Sequence, residues 1–165
     1  HVETACDAKT VARLCKYYPE GQRGFSPYTR AGGYSGGDIT AHARRQNERT
    51  LTGVILEGRT GIESIEEVVA VSQLDLVYIG AYDLSQALGM PGQVDDPKIN
   101  NQMEQCVRII RDAGVAAGGF VAKDAEDMSW MVDIGMQFVT YLPDCAVLQG
   151  AMRKAVDQFA RLTKR

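Results

Sequence analysis

The amino-acid sequence predicts a parallel α/β fold, and three observations carry that prediction. The stretch Leu51 to Gly89, LTGVILEGRTGIESIEEVVAVSQLDLVYIGAYDLSQALG, reads as strand, helix, strand, turn. Residues 51–56 are apolar and partly β-branched, Ile62, Ile65, Val68 and Val69 recur at helical spacing, and residues 75–80 form a second short apolar run. Near-continuous apolar strands of this kind point to a parallel sheet covered on both faces. The alternation of strand and helix then continues along the chain with no hairpin signal to interrupt it. Finally, each strand of the central unit is followed by a carboxylate, Glu57 and Asp83, 26 residues apart, about one βα repeat.

In chain order, Val2 and Glu3 read as the end of a strand. Thr4 caps a helix running to about Tyr17, with Ala8, Val11, Ala12 and Cys15 on its apolar side. Pro19 and Gly21 end it, and residues 19–38 form a long loop rich in Gly, Pro, Ser and Tyr. A helix from about Asp38 to Glu48 follows, with Asp38 as its N-cap; its His42 reads as a surface or packed residue. Past the central unit, Pro97 suits the first position of a helix over 98–112, which buries Ile99, Met103, Cys106, Val107 and Ile110 and stops at Gly114. Residues 115–121 are a strand, 124–134 a helix, 136–142 the last strand. Pro143 and Asp144 open a final helix whose apolar stripe is Ala146, Val147, Gly150, Ala151, Ala155 and Phe159.

Composition narrows the function classes. The chain has 165 residues, enough for one domain with a core. Its net charge is −3, without a basic cluster dense enough to bind nucleic acid. No apolar run approaches the ~20 residues that span a bilayer, so no membrane partner is expected. The four cysteines, Cys6, Cys15, Cys106 and Cys145, lack metal-site spacing and read as reduced, mostly buried thiols of a cytoplasmic protein.

In parallel α/β folds ligands gather at the C-terminal ends of the strands. Glu57 and Asp83 both stand there. Two carboxylates without a nearby His or Cys suit a hard cation such as Mg²⁺ or Mn²⁺. The same residues also fit a plainer role, a helix-capping Asp and an exposed loop Glu, and spacing alone leaves both open.

The pattern ILEGRTGIESIEEVVAV followed by LDLVYIGAYDLSQALG resembles the signature of the HpcH/HpaI aldolase and citrate lyase family. VETACDA, YYPEGQRGF and GMQFVTYLPD resemble further segments of it, in the same order. The resemblance implies an incomplete (β/α)₈ TIM barrel, a match to the family's C-terminal part only, and about the last four to five βα units. Residues 1–165 would then be a single partial-barrel domain lacking the first three strands and most of the fourth. The inner faces of its strands are expected to include Val54, Leu56, Val77 and Ile79.

The resemblance also implies a function. Glu57 and Asp83 match the two carboxylate metal ligands, with Mg²⁺ or Mn²⁺ (Co²⁺ being a third option) as cofactor. The backbone around Tyr82 and Asp83 matches the segment that holds the carboxylate of pyruvate. The implied reaction is cleavage of a 4-hydroxy-2-oxoacid to pyruvate and an aldehyde through a metal-stabilised enolate. A citrate-lyase-like or citrate-synthase-like enzyme and a non-catalytic partner barrel are the alternatives. The acid–base His and keto-binding Arg are expected upstream of this chain, so the catalytic residues are unknown and residues 1–165 alone should be nearly inactive. Three departures bear on this: Ile55 stands where the family often has Gln, Tyr82 is bulky where a small residue is common, and Asp144 reads as a helix cap. Lys123, after the strand VAAGGFV, is a rival Schiff-base residue or a solvated Lys opening a helix. A homo-oligomer, a hexamer or another assembly of dimers, completes the expectation, with the final helix packed against a neighbour.

Overall fold

The computed structural model describes residues 1–121 and 125–163. Thr4 caps helix α1 (Ala5–Cys15) through a reciprocal pair of bonds with Asp7, which satisfies two amides that the first turn leaves over. The long loop contains a 3-10 segment at Arg30–Ser35. Helix α2 spans His42–Arg49. It begins later than the sequence suggests: the Asp38 carboxylate binds the N–H groups of Thr40 and Ala41 and the Thr40 hydroxyl, which makes a turn ahead of the helix instead of its cap.

Strand β1 (Gly53–Leu56) is followed by α3 (Arg59–Glu63) and α4 (Ile65–Val69), then β2 (Leu76–Ile79) and α5 (Ala81–Ala87). The single helix expected from Ile62 to Val71 is broken at Ser64, whose backbone leaves helical geometry. Helix α6 (Pro97–Asp112) has Asp96 as N-cap and Pro97 in its first turn, and it buries the five residues named for its apolar face. Strand β3 (Ala116–Val121), α7 (Ala125–Asp133), β4 (Phe138–Tyr141) and α8 (Asp144–Thr163) complete the order.

The strands form one parallel sheet, β1-β2-β3-β4. Val54 pairs with Val77 and Leu56 with Ile79. Thr52 and Asp75 pin that register where the strands begin: the Thr52 N–H donates to the Asp75 carboxylate at 2.7 Å, and the Asp75 N–H donates to Thr52 O at 2.9 Å. Beside β1, the Val2 N–H donates to Ile55 O at 3.0 Å, which lays the N-terminal stub along its outer edge.

Helix α6 packs on α4, β2 and β3, α1 packs on α4, and α7 packs on β3. Val54, Leu56, Val77 and Ile79 are buried in the resulting core. They therefore face the helix layer and not the inside of a barrel, which reverses the expectation, since alternation along a strand sends their neighbours the other way. The second face carries Ile55, Tyr78 and Phe138, which share one register row with Gly118. Ile55 and Phe138 are exposed on it, so one face of the sheet is covered, not two. Gly118 has a packing reason: a Cβ there would press on Phe138 O and on the Tyr78 ring, both at 3.0 Å. The gap lets the Tyr78 hydroxyl reach the Thr140 hydroxyl at 2.5 Å.

The thiols also differ from expectation. Cys106 alone is buried, Cys15 is half-buried, and Cys6 and Cys145 are exposed. Among the described residues no helix is long and apolar enough to cross a membrane.

Candidate active site

Glu57 is the first residue past β1, and Asp83 lies in the first turn of α5, two residues past the start of that helix. The register that pairs Leu56 with Ile79 continues upward: the Gly80 N–H donates to Leu56 O at 3.1 Å, which puts Gly80 beside Glu57. A side chain at Gly80 would run into the Glu57 carboxylate, its Cβ overlapping Oε2. Glycine there is what allows the carboxylate to lie over β2.

Glu57 and Asp83 line one cavity of about 310 Å³ together with His1, Gly58, Gln86 and Ala87. The Glu57 carboxyl is held above its ordinary pKa, first by partial burial and then by the negative charge of Asp83. The two carboxylates are therefore electrostatic neighbours. Such a pair is relieved by a cation between them. Mg²⁺ keeps several waters and takes only one or two protein carboxylates, so the donor set fits it. Among the described residues no group of three or more His, Cys, Asp or Glu side chains forms a fuller cage.

His1 is the site residue that sequence reasoning missed. Its Nδ1 lies 2.9 Å from Glu57 Oε1 and its Nε2 3.4 Å from Glu3 Oε1. The only signal available was its place one residue before a predicted strand end. Glu3 touches the site through that ring.

Tyr82 is half exposed and stands outside the cavity lining. Its ring sits 6.3 Å from that of Phe120, at the end of β3. Ser85, in the D-L-S stretch, is buried; its hydroxyl donates to Tyr82 O at 2.6 Å and accepts the Gly92 N–H at 3.0 Å, tying α5 to the following loop. Arg59 crosses to the far end of α5, donating to Ala87 O at 2.9 Å. His42 packs with Tyr17 and Phe25, and Arg23 stacks over the Tyr17 ring, an aromatic cluster that holds the long loop. Asp144 is the first residue inside α8 and not the cap before it; its carboxylate accepts the N–H of the next residue, Cys145, at 2.7 Å. Lys123 lies outside the described residues.

The family model for HpcH/HpaI aldolase/citrate lyase matches residues 1–148. The chain belongs to that family. Within it, the chain is 35% identical over 148 residues to a hydroxypyruvate/pyruvate aldolase of Roseobacter denitrificans, covering 89% of this chain and 57% of the relative. It is 31% identical over 159 residues to a 2-keto-3-deoxy-L-rhamnonate aldolase of Shigella sonnei, covering 96% and 58%. The crystal structure of an HpcH/HpaI aldolase from Desulfitobacterium hafniense superposes with a TM-score of 0.88 at 30% identity, over 96% of this chain and 61% of that one. The chain thus spans 57% to 58% of the length of these curated relatives. Its parallel strands alternating with helices are a partial (β/α) barrel of the HpcH/HpaI kind. One expectation is overturned. The match is not to a C-terminal part only: it begins at residue 1 and takes in the N-terminal part of the chain, α1 and the long loop included, as well as all four strands.

Proposed function

We propose that the protein is a metal-dependent carbon–carbon lyase that cleaves a 4-hydroxy-2-oxoacid to pyruvate and an aldehyde. Residues 1–165 act in it as one partial-barrel unit. The observation that carries this reading is the meeting of Glu57 and Asp83, from the ends of two neighbouring parallel strands, at one cavity where the charge of Asp83 helps hold the Glu57 carboxyl above its ordinary pKa. Membership in an aldolase and lyase family, and relatives whose names are those of oxoacid aldolases, support the reaction class.

Glu57 and Asp83 would hold the cation, Mg²⁺ or Mn²⁺. When bound, it supplies Lewis acidity to a coordinated oxoacid. The chain's own residues bind and orient. First-turn amides of a helix have no intrahelical acceptor, so those of Tyr82 and Asp83 can donate to the oxoacid carboxylate. Gly80 keeps the approach open, its missing side chain leaving room for the Glu57 carboxylate. In the cleavage the C4 hydroxyl gives its proton to a base, C4 becomes the aldehyde carbonyl, the C3–C4 electron pair goes to C3 of the pyruvate half, and C3 takes up a proton to become the methyl group.

Assembly belongs to the same proposal. Helix α8 has no buried residue, and Leu148, Met152, Val156 and Phe159 lie exposed along one stripe. That stripe supports a homo-oligomer built from dimers.

Exchange of the pyruvate methyl protons in D₂O tests the site without knowledge of the aldehyde. With the acid–base His and keto-binding Arg that the resemblance implies in place, the expected result is exchange, followed by NMR, that depends on Mn²⁺ or Mg²⁺, stops with a chelator and is lost in Glu57→Gln and Asp83→Asn. Exchange that survives the chelator, or a borohydride-trapped adduct at Lys123, overturns the metal reading.

A further inference from the structure

His1 is placed by the sheet. The Val2 N–H donates to Ile55 O at 3.0 Å, so the residue before it sits beside the end of β1. From there Nδ1 comes within 2.9 Å of Glu57 Oε1. A carboxylate oxygen accepts, so the ring nitrogen donates. On its other side the ring approaches Glu3 Oε1 at 3.4 Å, a longer contact that limits its rotation.

The two oxygens of Glu57 therefore have different surroundings. Oε1 is tied to His1. Oε2 lies over Gly80, where even a methyl group would overlap it. That is the side of β2, the strand from whose end Asp83 follows. The terminal torsion of a glutamate is soft and broad, so nothing in the side chain itself selects this orientation. The ring contact does.

We infer that His1 is a positioning residue: it holds one oxygen of Glu57 so that the other is presented over Gly80, toward Asp83. The inference rests on the reading of Glu57 and Asp83 as the cation-holding pair. Hydrogen bonds that orient a ligand from outside the first coordination shell contribute about 10–100-fold to metal affinity.

Mn²⁺ titration without substrate tests this, with free Mn²⁺ read from its EPR signal. His1→Ala is expected to bind Mn²⁺ roughly 10-fold or more weakly than the wild type. His1→Gln, which keeps an N–H donor of similar reach, is expected to recover most of that loss, and far-UV circular dichroism should be unchanged in both. Wild-type affinity in His1→Ala overturns the inference while leaving the carboxylate pair in place. So does a His1→Gln variant no better than His1→Ala, since the ring would then matter for bulk and not for its hydrogen bond. If the wild type and Asp83→Asn bind Mn²⁺ equally, the carboxylate-pair reading falls and the positioning role falls with it.

Discussion

A carboxylate kept partly out of water beside a second carboxylate disfavours its own charge. Glu57 is in that position, and its pKa stands above the unfolded value through burial first and Asp83 second. The sign of the linkage follows. Below the unfolded pKa Glu57 is protonated in both states and costs nothing. As pH rises through the folded pKa it must ionise against the unfavourable surroundings, and stability is lost. Glu57→Gln should therefore melt above the wild type at neutral pH in metal-free buffer, with the difference closing as pH falls through the carboxylate range. Added Mn²⁺ should stabilise the wild type and not the variant, because only the wild type has a site that binds in the folded state. Thermal melts at several pH values, with and without Mn²⁺, check both signs. A variant that melts below the wild type throughout would mean that the tie to His1 outweighs the repulsion.

At the scale of elements, the parts that were legible are those with a local cause. The Thr4 cap of α1, the Pro97 start of α6 and the five-residue apolar face of that helix were read from neighbours in the sequence, and each is found; the answering bond from Asp7 was not read. What was not legible includes local choices between competing turns as well as partners far along the chain. Asp38 looked like a cap but spends one carboxylate oxygen on Thr40 and Ala41. An unbroken periodicity from Ile62 to Val69 did not reveal the break at Ser64. Alternation showed that each strand has two faces, but not which of them meets the helices. The site divides in the same way. Glu57 and Asp83 were visible as carboxylates at strand ends, whereas His1 becomes a site residue only through the pairing of Val2 with Ile55.

Helix α8 offers the clearest test at this scale. Leu148, Met152, Val156, Phe159 and Leu162 are each more than 60% exposed, at spacings of three and four residues. Burying one such side chain is worth roughly 1.5–3 kcal/mol, so a continuous stripe is a strong incentive to associate. The double variant Met152→Glu, Val156→Glu should shift the protein to a smaller species in size-exclusion chromatography with light scattering. Its helix content should be unchanged, because neither side chain belongs to the core. An unchanged mass would remove α8 from the interface.

The whole molecule is asymmetric in what it covers. Helices α1, α4, α6 and α7 lie over the face that holds Val54, Leu56, Val77 and Ile79. The opposite face carries Ile55 and Phe138 exposed and Tyr78 half-buried. This apolar surface is separate from α8, since it belongs to strands β1, β2 and β4 and not to the helix. The two surfaces should therefore answer separately. A dye that fluoresces on apolar surface, such as anilinonaphthalene sulfonate, should bind the 165-residue chain, and binding should persist in the α8 double variant. Ile55→Lys combined with Phe138→Lys should reduce it, since both side chains lie on the exposed row and neither touches the buried core. A chain that binds no dye, or whose binding disappears with the α8 substitutions alone, would show that the second sheet face is covered in solution.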